Sequence, residues 1–148
     1  MTWTAYDRDK DDADARVIGR AFAVSGVGFW ASIEGILALS PDLQRVTGVV
    51  FLRHSETPGL GGRITERQFR DQFRRGLRAT PPDAGGQYIY IGGAKPAGPG
   101  DPRWGRRVDA VSGATGTSTA VERFLNADLA RFRAAVEAEG LIDKESGE

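Results

Sequence analysis

Two short segments hold the residue types that could do chemistry in this chain. The first runs Asp109-Ala110-Val111-Ser112-Gly113-Ala114-Thr115-Gly116-Thr117-Ser118-Thr119. Five hydroxyls fall within eight residues, from Ser112 to Thr119, just ahead of a stretch with helical periodicity. Hydroxyl side chains at such a place can cap a helix. The helix's first free N–H groups and the positive end of its dipole face the same space, a combination that suits a phosphate. No lysine is present, unlike a P-loop, which argues against a nucleoside triphosphate. Residue types alone are equally served by a plain Ser/Thr N-cap. The second segment is Glu56-Thr57-Pro58-Gly59-Leu60-Gly61-Gly62. Pro58-Gly59 fits the central pair of a type II turn, and Leu60 is an apolar side chain held between glycines. Taken alone, this second segment reads as a strand-to-helix connection.

Composition narrows the options. The 148 residues carry 20 basic and 20 acidic side chains, no cysteine and one histidine, His54. There can be no disulfide, thiolate nucleophile, cysteine-ligated cluster or histidine-rich metal centre, so no metal site is expected. Redox chemistry would have to come from a bound organic cofactor. The zero net charge exerts no global pull toward nucleic acid or anionic lipid. The longest apolar stretch, about Val17 to Leu39, is interrupted by Arg20, Glu34 and glycines, and is not a membrane span. The acidic start, with Asp7, Asp9, Asp11, Asp12 and Asp14, is not a signal peptide.

The elements that must position the two loops follow from periodicity. Residues 1–15 read as a polar acidic arm or edge segment, 16–140 as the domain, and 141–148 as a charged tail. Ile18, Arg20, Phe22 and Val24 alternate with small residues and predict a strand from Arg16 to Ser25, followed by a glycine–aromatic corner, Gly26-Val27-Gly28-Phe29-Trp30. Ala31–Leu39 is ambiguous, and Val46–Leu52 reads as a buried strand. Ile64–Arg78 reads as a helix with Ile64, Phe69 and Phe73 inward and Thr65 capping it opposite Gln68. Residues 80–105 hold five of the seven prolines and read as loop, interrupted by a strand at Gln87–Ile91. Arg106–Val111 predicts a last strand. Val121, Leu125, Leu129, Phe132 and Val136 form one stripe of a closing helix from about Thr117 to Ala138. Strands in a run with a late helix predict an α+β fold: an antiparallel sheet, flanking helices and a long amphipathic C-terminal helix.

The loops together are more specific than either alone. Asp109 to Thr115 resembles the flavinylation motif of the FMN-binding domain family, Glu56 to Gly61 resembles that family's other signature loop, and Gly26 to Trp30 is similar to its glycine–aromatic corner. The family includes the flavinylated subunits of the sodium-pumping NADH:quinone oxidoreductase and of the Rnf electron-transport complex. The resemblance implies an electron-carrier domain, without a substrate of its own, bearing FMN as a phosphoester on Thr115. A separate flavin transferase would attach it, using FAD as donor and magnesium. A threonine hydroxyl is a weak nucleophile without a base beside it, which agrees with an external enzyme.

On this reading Ser112, Thr117 and Ser118 are candidate donors to the phosphate, with Gly113 and Ala114 completing the loop. Trp30 and Leu60 are candidates for apolar contact with the ring; a buried core position is the other option for Trp30. Glu56 and Thr57 could bond the pyrimidine edge through side chain or backbone, a backbone N–H being the better match to a flavin that becomes anionic, and Gly59 and Gly61 let backbone approach a flat partner. Asp109 could serve recognition by the transferase or simply end a strand. The alternative is a module that holds FMN or another phosphate ligand without a covalent bond.

Expected partners are the transferase and redox proteins, possible members of a membrane electron-transport complex, with no nucleic acid and no membrane insertion by this chain. Both of those flavinylated subunits carry an N-terminal membrane helix, and this chain shows none. It reads as an excised domain, working at the extracytoplasmic face of the cytoplasmic membrane, or as a free-standing soluble carrier, with the cytoplasm as the alternative compartment. Arg63, Arg67, Arg70, Arg74, Arg75 and Arg78 face only Glu66 and Asp71 nearby. As a helix, 67, 70, 74 and 78 would make a solvated basic face or a docking face for an acidic redox partner.

Overall fold

The period-two alternation turns one set of large side chains to a single side, and those side chains build the core. A computed structural model describes residues 1–140. Strands β1 (Thr2–Tyr6), β2 (Val17–Val27), β3 (Ser32–Leu39) and β4 (Val46–Arg53) form one antiparallel sheet in the order β1-β2-β3-β4. Phe22 and Val24 of β2, Ile33, Leu37 and Leu39 of β3, and Val46, Val49 and Phe51 of β4 are buried on its inner face. The ambiguous segment is therefore a central strand. Thr2–Tyr6 take the edge-segment alternative, pairing with β2 from Thr2↔Phe22 to Tyr6↔Val17.

The closing helix α2 (Thr115–Ala138) lies across the inner face of β2. Its stripe of Val121, Leu125, Leu129, Phe132 and Val136 is buried as the spacing predicts, and Phe132 stacks on Phe22 with ring centroids 4.3 Å apart. No helix among the described residues is long and apolar enough to cross a membrane. The charged tail at 141–148 lies outside the described residues.

Three expectations need correction. The helix predicted over Ile64–Arg78 is broken into 3-10 turns at Gly61–Thr65 and Asp71–Arg75, flanking a single α-turn, α1 (Arg67–Arg70). Ile64, Phe69 and Phe73 still point into the core, but Thr65 does not cap: its hydroxyl donates to the Gly62 carbonyl at 2.9 Å. Phe69 and Phe73 pack edge-to-face, with Phe69 also against Phe51, so burial of these rings holds the segment without a regular hydrogen-bond ladder.

Second, the strands predicted at 87–91 and 106–111 shrink to β5 (Tyr90–Ile91) and β6 (Arg107–Val108), which pair in parallel. The backbone groups on the edge of β5 away from β6 bond α2 instead. Asn126 of α2 accepts the Ile89 N–H at 3.0 Å and donates to the Ile89 carbonyl at 2.8 Å, while Glu122 accepts the Ile91 N–H at 2.7 Å. Side chains of α2 thus act as the missing strand partner.

Third, α2 begins without a hydroxyl cap. Ala114 occupies the N-cap position, and no side chain bonds the first-turn N–H groups.

Leu129 sits at the centre of the helix–sheet contact and is fully buried. Leu129→Ala should cost about 2–5 kcal/mol, measured by denaturant unfolding followed by circular dichroism.

Candidate functional site

Glu56 follows β4 and is 4% exposed, a costly place for a carboxylate unless its oxygens are bonded. Here they are. Oε1 accepts the Phe29 N–H at 2.7 Å and the Thr117 hydroxyl at 3.0 Å, and Oε2 accepts the Trp30 N–H at 3.1 Å. One side chain thereby joins the aromatic corner between β2 and β3, the loop after β4, and the first turn of α2. The expectation that Glu56 could bond a ligand edge through its side chain is corrected: both oxygens face inward. Its N–H donates to His54 Nδ1 at 3.1 Å, which places the lone histidine behind the loop.

Around this clasp each loop takes the form its residues dictate. Gly59 has φ +76°, and Leu60 N–H bonds the Thr57 carbonyl at 3.0 Å, the type II turn that Pro58-Gly59 predicts. Gly61 lies directly against Thr117 Oγ1 and the Glu56 Cβ, so a methyl there would collide with both. Gly116 lies under the Phe29 ring in the same way.

A cleft of about 250 Å³ opens above the clasp. It is lined by Phe29, Trp30, Thr57, Leu60, Gly61 and Gly113–Thr117. Phe29, Trp30 and Leu60 are 63%, 66% and 48% exposed, which excludes the core option for Trp30. The two rings meet edge-to-face at 5.1 Å, and the Trp30 indole N–H donates to the Thr57 hydroxyl at 3.1 Å. The lining thus combines exposed apolar surface with the start of α2, whose free N–H groups and dipole favour an anion. It contains no titratable side chain.

The structure therefore brings Trp30, Thr57, Leu60, Gly61, Gly113, Ala114, Thr115 and Thr117 together, and adds Phe29, whose exposure strand periodicity could not reveal. Other candidates fall elsewhere. Thr117 contributes backbone, because its hydroxyl is turned in to Glu56. Ser118 is buried, and its Oγ accepts the Val111 N–H at 3.2 Å. These inward hydroxyls correct the expectation that both donate to a phosphate. Ser112 and Asp109 line a neighbouring cleft instead, and Asp109 pairs with Arg107 at 2.7 Å. Gln72 holds this stretch by accepting the Asp109 N–H at 2.7 Å and donating to its carbonyl at 3.2 Å.

Replacing Glu56 by alanine leaves the Phe29 and Trp30 N–H groups and the Thr117 hydroxyl without their acceptor. Glu56→Ala should lower stability by about 1–3 kcal/mol. Denaturant unfolding measures this, and a loss below about 0.5 kcal/mol, typical of an ordinary surface substitution, would contradict the clasp.

Comparison with known proteins places this geometry. The family model for the FMN-binding domain matches residues 28–130, which include Gly28-Phe29-Trp30 of the corner, both loops and most of α2. The chain is 35% identical over 121 residues to a Na(+)-translocating NADH-quinone reductase subunit of Chlamydia trachomatis, covering 75% of this chain and 38% of that protein. It is 34% identical over 110 residues to an ion-translocating oxidoreductase complex subunit of Methanosarcina acetivorans, covering 74% and 49%. Among solved structures, NqrC of Shewanella oneidensis aligns with a TM-score of 0.61 at 32% identity, over 78% of this chain and 50% of that one. A Na(+)-translocating NADH-quinone reductase subunit from Parabacteroides distasonis aligns with a TM-score of 0.65 at 25% identity, over 78% and 55%. The chain thus spans half or less of the length of the two curated relatives. With Gly28-Phe29-Trp30, both loops and the start of α2 inside the matched span, the chain belongs to the FMN-binding domain family.

Proposed function

We propose that this chain is an electron carrier with FMN held by a phosphoester on Thr115, attached by a separate flavin transferase from FAD. The supporting observation is the position of Thr115. It is the first residue of a 24-residue helix with no side-chain cap, and it opens onto a cleft walled by the aromatic corner and Leu60.

The residues present fit the group. When bound, FMN supplies the redox chemistry that a chain without cysteine lacks. The first-turn N–H groups of α2 hold the phosphate, and the helix dipole stabilises its charge. Phe29, Trp30 and Leu60 offer the apolar contacts for the ring, and Gly61 and Gly113 keep the backbone clear of it. Thr57 offers backbone and hydroxyl groups to its polar edge. Glu56 keeps its charge out of the cleft by pointing both oxygens at internal donors, so no bare carboxylate opposes negative charge developing on the ring.

The same lining supports external attachment. Activation of Thr115 Oγ needs a base, and no side chain of the cleft can act as one. The relatives are named as subunits of NADH-quinone reductase and ion-translocating oxidoreductase complexes. We extend to this chain a redox partner in such a complex, at the extracytoplasmic face of the membrane.

Coexpression with a flavin transferase, followed by denaturation and intact-mass measurement, tests the proposal. The wild type should retain flavin and gain the mass of one FMN less one water; Thr115→Ala should gain none. Flavin released from the wild type on denaturation would instead establish the non-covalent alternative.

A further inference from the structure

We infer that the cleft beside the acceptor loop docks an acidic protein surface, and that this surface belongs to the redox partner. The partner's redox character rests on the electron-carrier reading above; the acidic docking does not. The cleft has a volume of about 250 Å³ and is lined by Arg63, Glu66, Arg75, Asp109 and Ser112, with the buried Phe69 among them. The wall at 109–112 is the stretch that leads into Thr115, so whatever occupies this cleft lies next to the flavin-bearing end of the molecule.

The cleft's own lining balances Arg63 and Arg75 against Glu66 and Asp109, and the excess positive charge lies in the surface around it. From Arg63 to Arg78, together with Arg107 and Asp109 at the rim, seven arginines face three carboxylates. Each carboxylate is already matched: Glu66 with Arg63 at 3.4 Å, Asp71 with Arg74 at 3.9 Å and Asp109 with Arg107 at 2.7 Å. Among the described residues, Arg67, Arg70, Arg75 and Arg78 have no carboxylate within 4.0 Å. The broken helix matters here. The 3-10 turn at Asp71–Arg75 sets Arg75, the one of these four that lines the cleft, in the same lining as residues 109–112.

The cleft's chemistry selects the partner class. Guanidinium groups beside the Gln68 and Gln72 amides match carboxylates. Nucleic acid would need exposed aromatic platforms, and Phe69 and Phe73 are buried. An electron carrier also gains from such a patch, because opposite charge steers a redox protein toward the flavin and raises its association rate.

The test is a titration of the isotope-labelled chain, followed by NMR, with a blocked peptide of about ten glutamates. It needs no flavin, so its failure and the failure of the flavin reading are separate outcomes. At about 0.02 M salt the amide signals of Gln68, Gln72, Ala110 and Ser112 should shift, and affinity should fall roughly tenfold or more at about 0.3 M. Arg63→Glu/Arg75→Glu should abolish the shifts. Arg131→Glu, which removes the same kind of charge from the Asp128 pair on α2, should preserve them. Absent shifts, shifts confined to other surfaces, or binding insensitive to the double variant would overturn the inference. A DNA duplex that competes equally at the same residues would assign the cleft to nucleic acid instead. Self-association at low salt, lost in the double variant, would assign it to the acidic 7–14 segment of a second copy.

Discussion

The carboxylate of Glu56 stands at the one point where three distant pieces of chain meet. The corner at Phe29-Trp30 and the loop after β4 are irregular, and no strand or helix ladder fixes their position relative to each other or to the first turn of α2. Two backbone N–H groups and one hydroxyl converge on the two oxygens, within 2.7–3.1 Å. Hydrogen bonds to a charged acceptor in a dry place are among the stronger ones, and an unmet donor there is expensive. The close contacts at Gly61 and Gly116 follow from this convergence. Once the three segments are drawn together, there is no room for a Cβ between Gly61 and Thr117, or between Gly116 and the Phe29 ring.

The rest of the molecule delivers these segments to that point. The antiparallel sheet sets the corner at one end of the β2–β3 hairpin and the Glu56 loop at the same end of β4. Packing of the α2 stripe on β2, including the Phe22–Phe132 stack, brings the start of the helix over them. Burial fixes the frame, and a few polar contacts then fix the site. The division explains how a cleft with no titratable side chain can still be electrostatically organised: its charge-bearing parts are a helix terminus and a carboxylate turned away.

Much of this was legible in the residues. Period-two and helical spacings reported the sheet and α2 because burial on one face imposes those periods. The Pro58-Gly59 turn was readable because proline fixes φ and glycine accepts the positive φ that follows. What resisted was structure made by side chains acting as backbone. Asn126 and Glu122 stand in for a strand partner at Ile89 and Ile91, and Gln72 does the same for Asp109, on the edges away from the β5–β6 pairing. Likewise, hydroxyls at the start of α2 looked like caps and phosphate donors, yet Thr117 and Ser118 turn inward to Glu56 and Val111. Residue type records that a hydroxyl can bond and leaves its direction to tertiary packing. The exposure of Phe29 and Trp30 was hidden for the opposite reason, since large aromatics more often serve a core.

The central claim is that Thr115, among five neighbouring hydroxyls, is the one that carries the cofactor. Trypsin cleavage after Arg107 and Arg123 releases a single peptide, 108–123, that contains Ser112, Thr115, Thr117, Ser118 and Thr119. Fragmentation of that peptide from the flavin-loaded protein by tandem mass spectrometry assigns the modified residue directly. The proposal predicts the added mass on Thr115 alone, because Thr117 and Ser118 are buried, Ser112 faces the adjoining cleft and Thr119 does not line the cleft. Modification on any of the other four hydroxyls would contradict it.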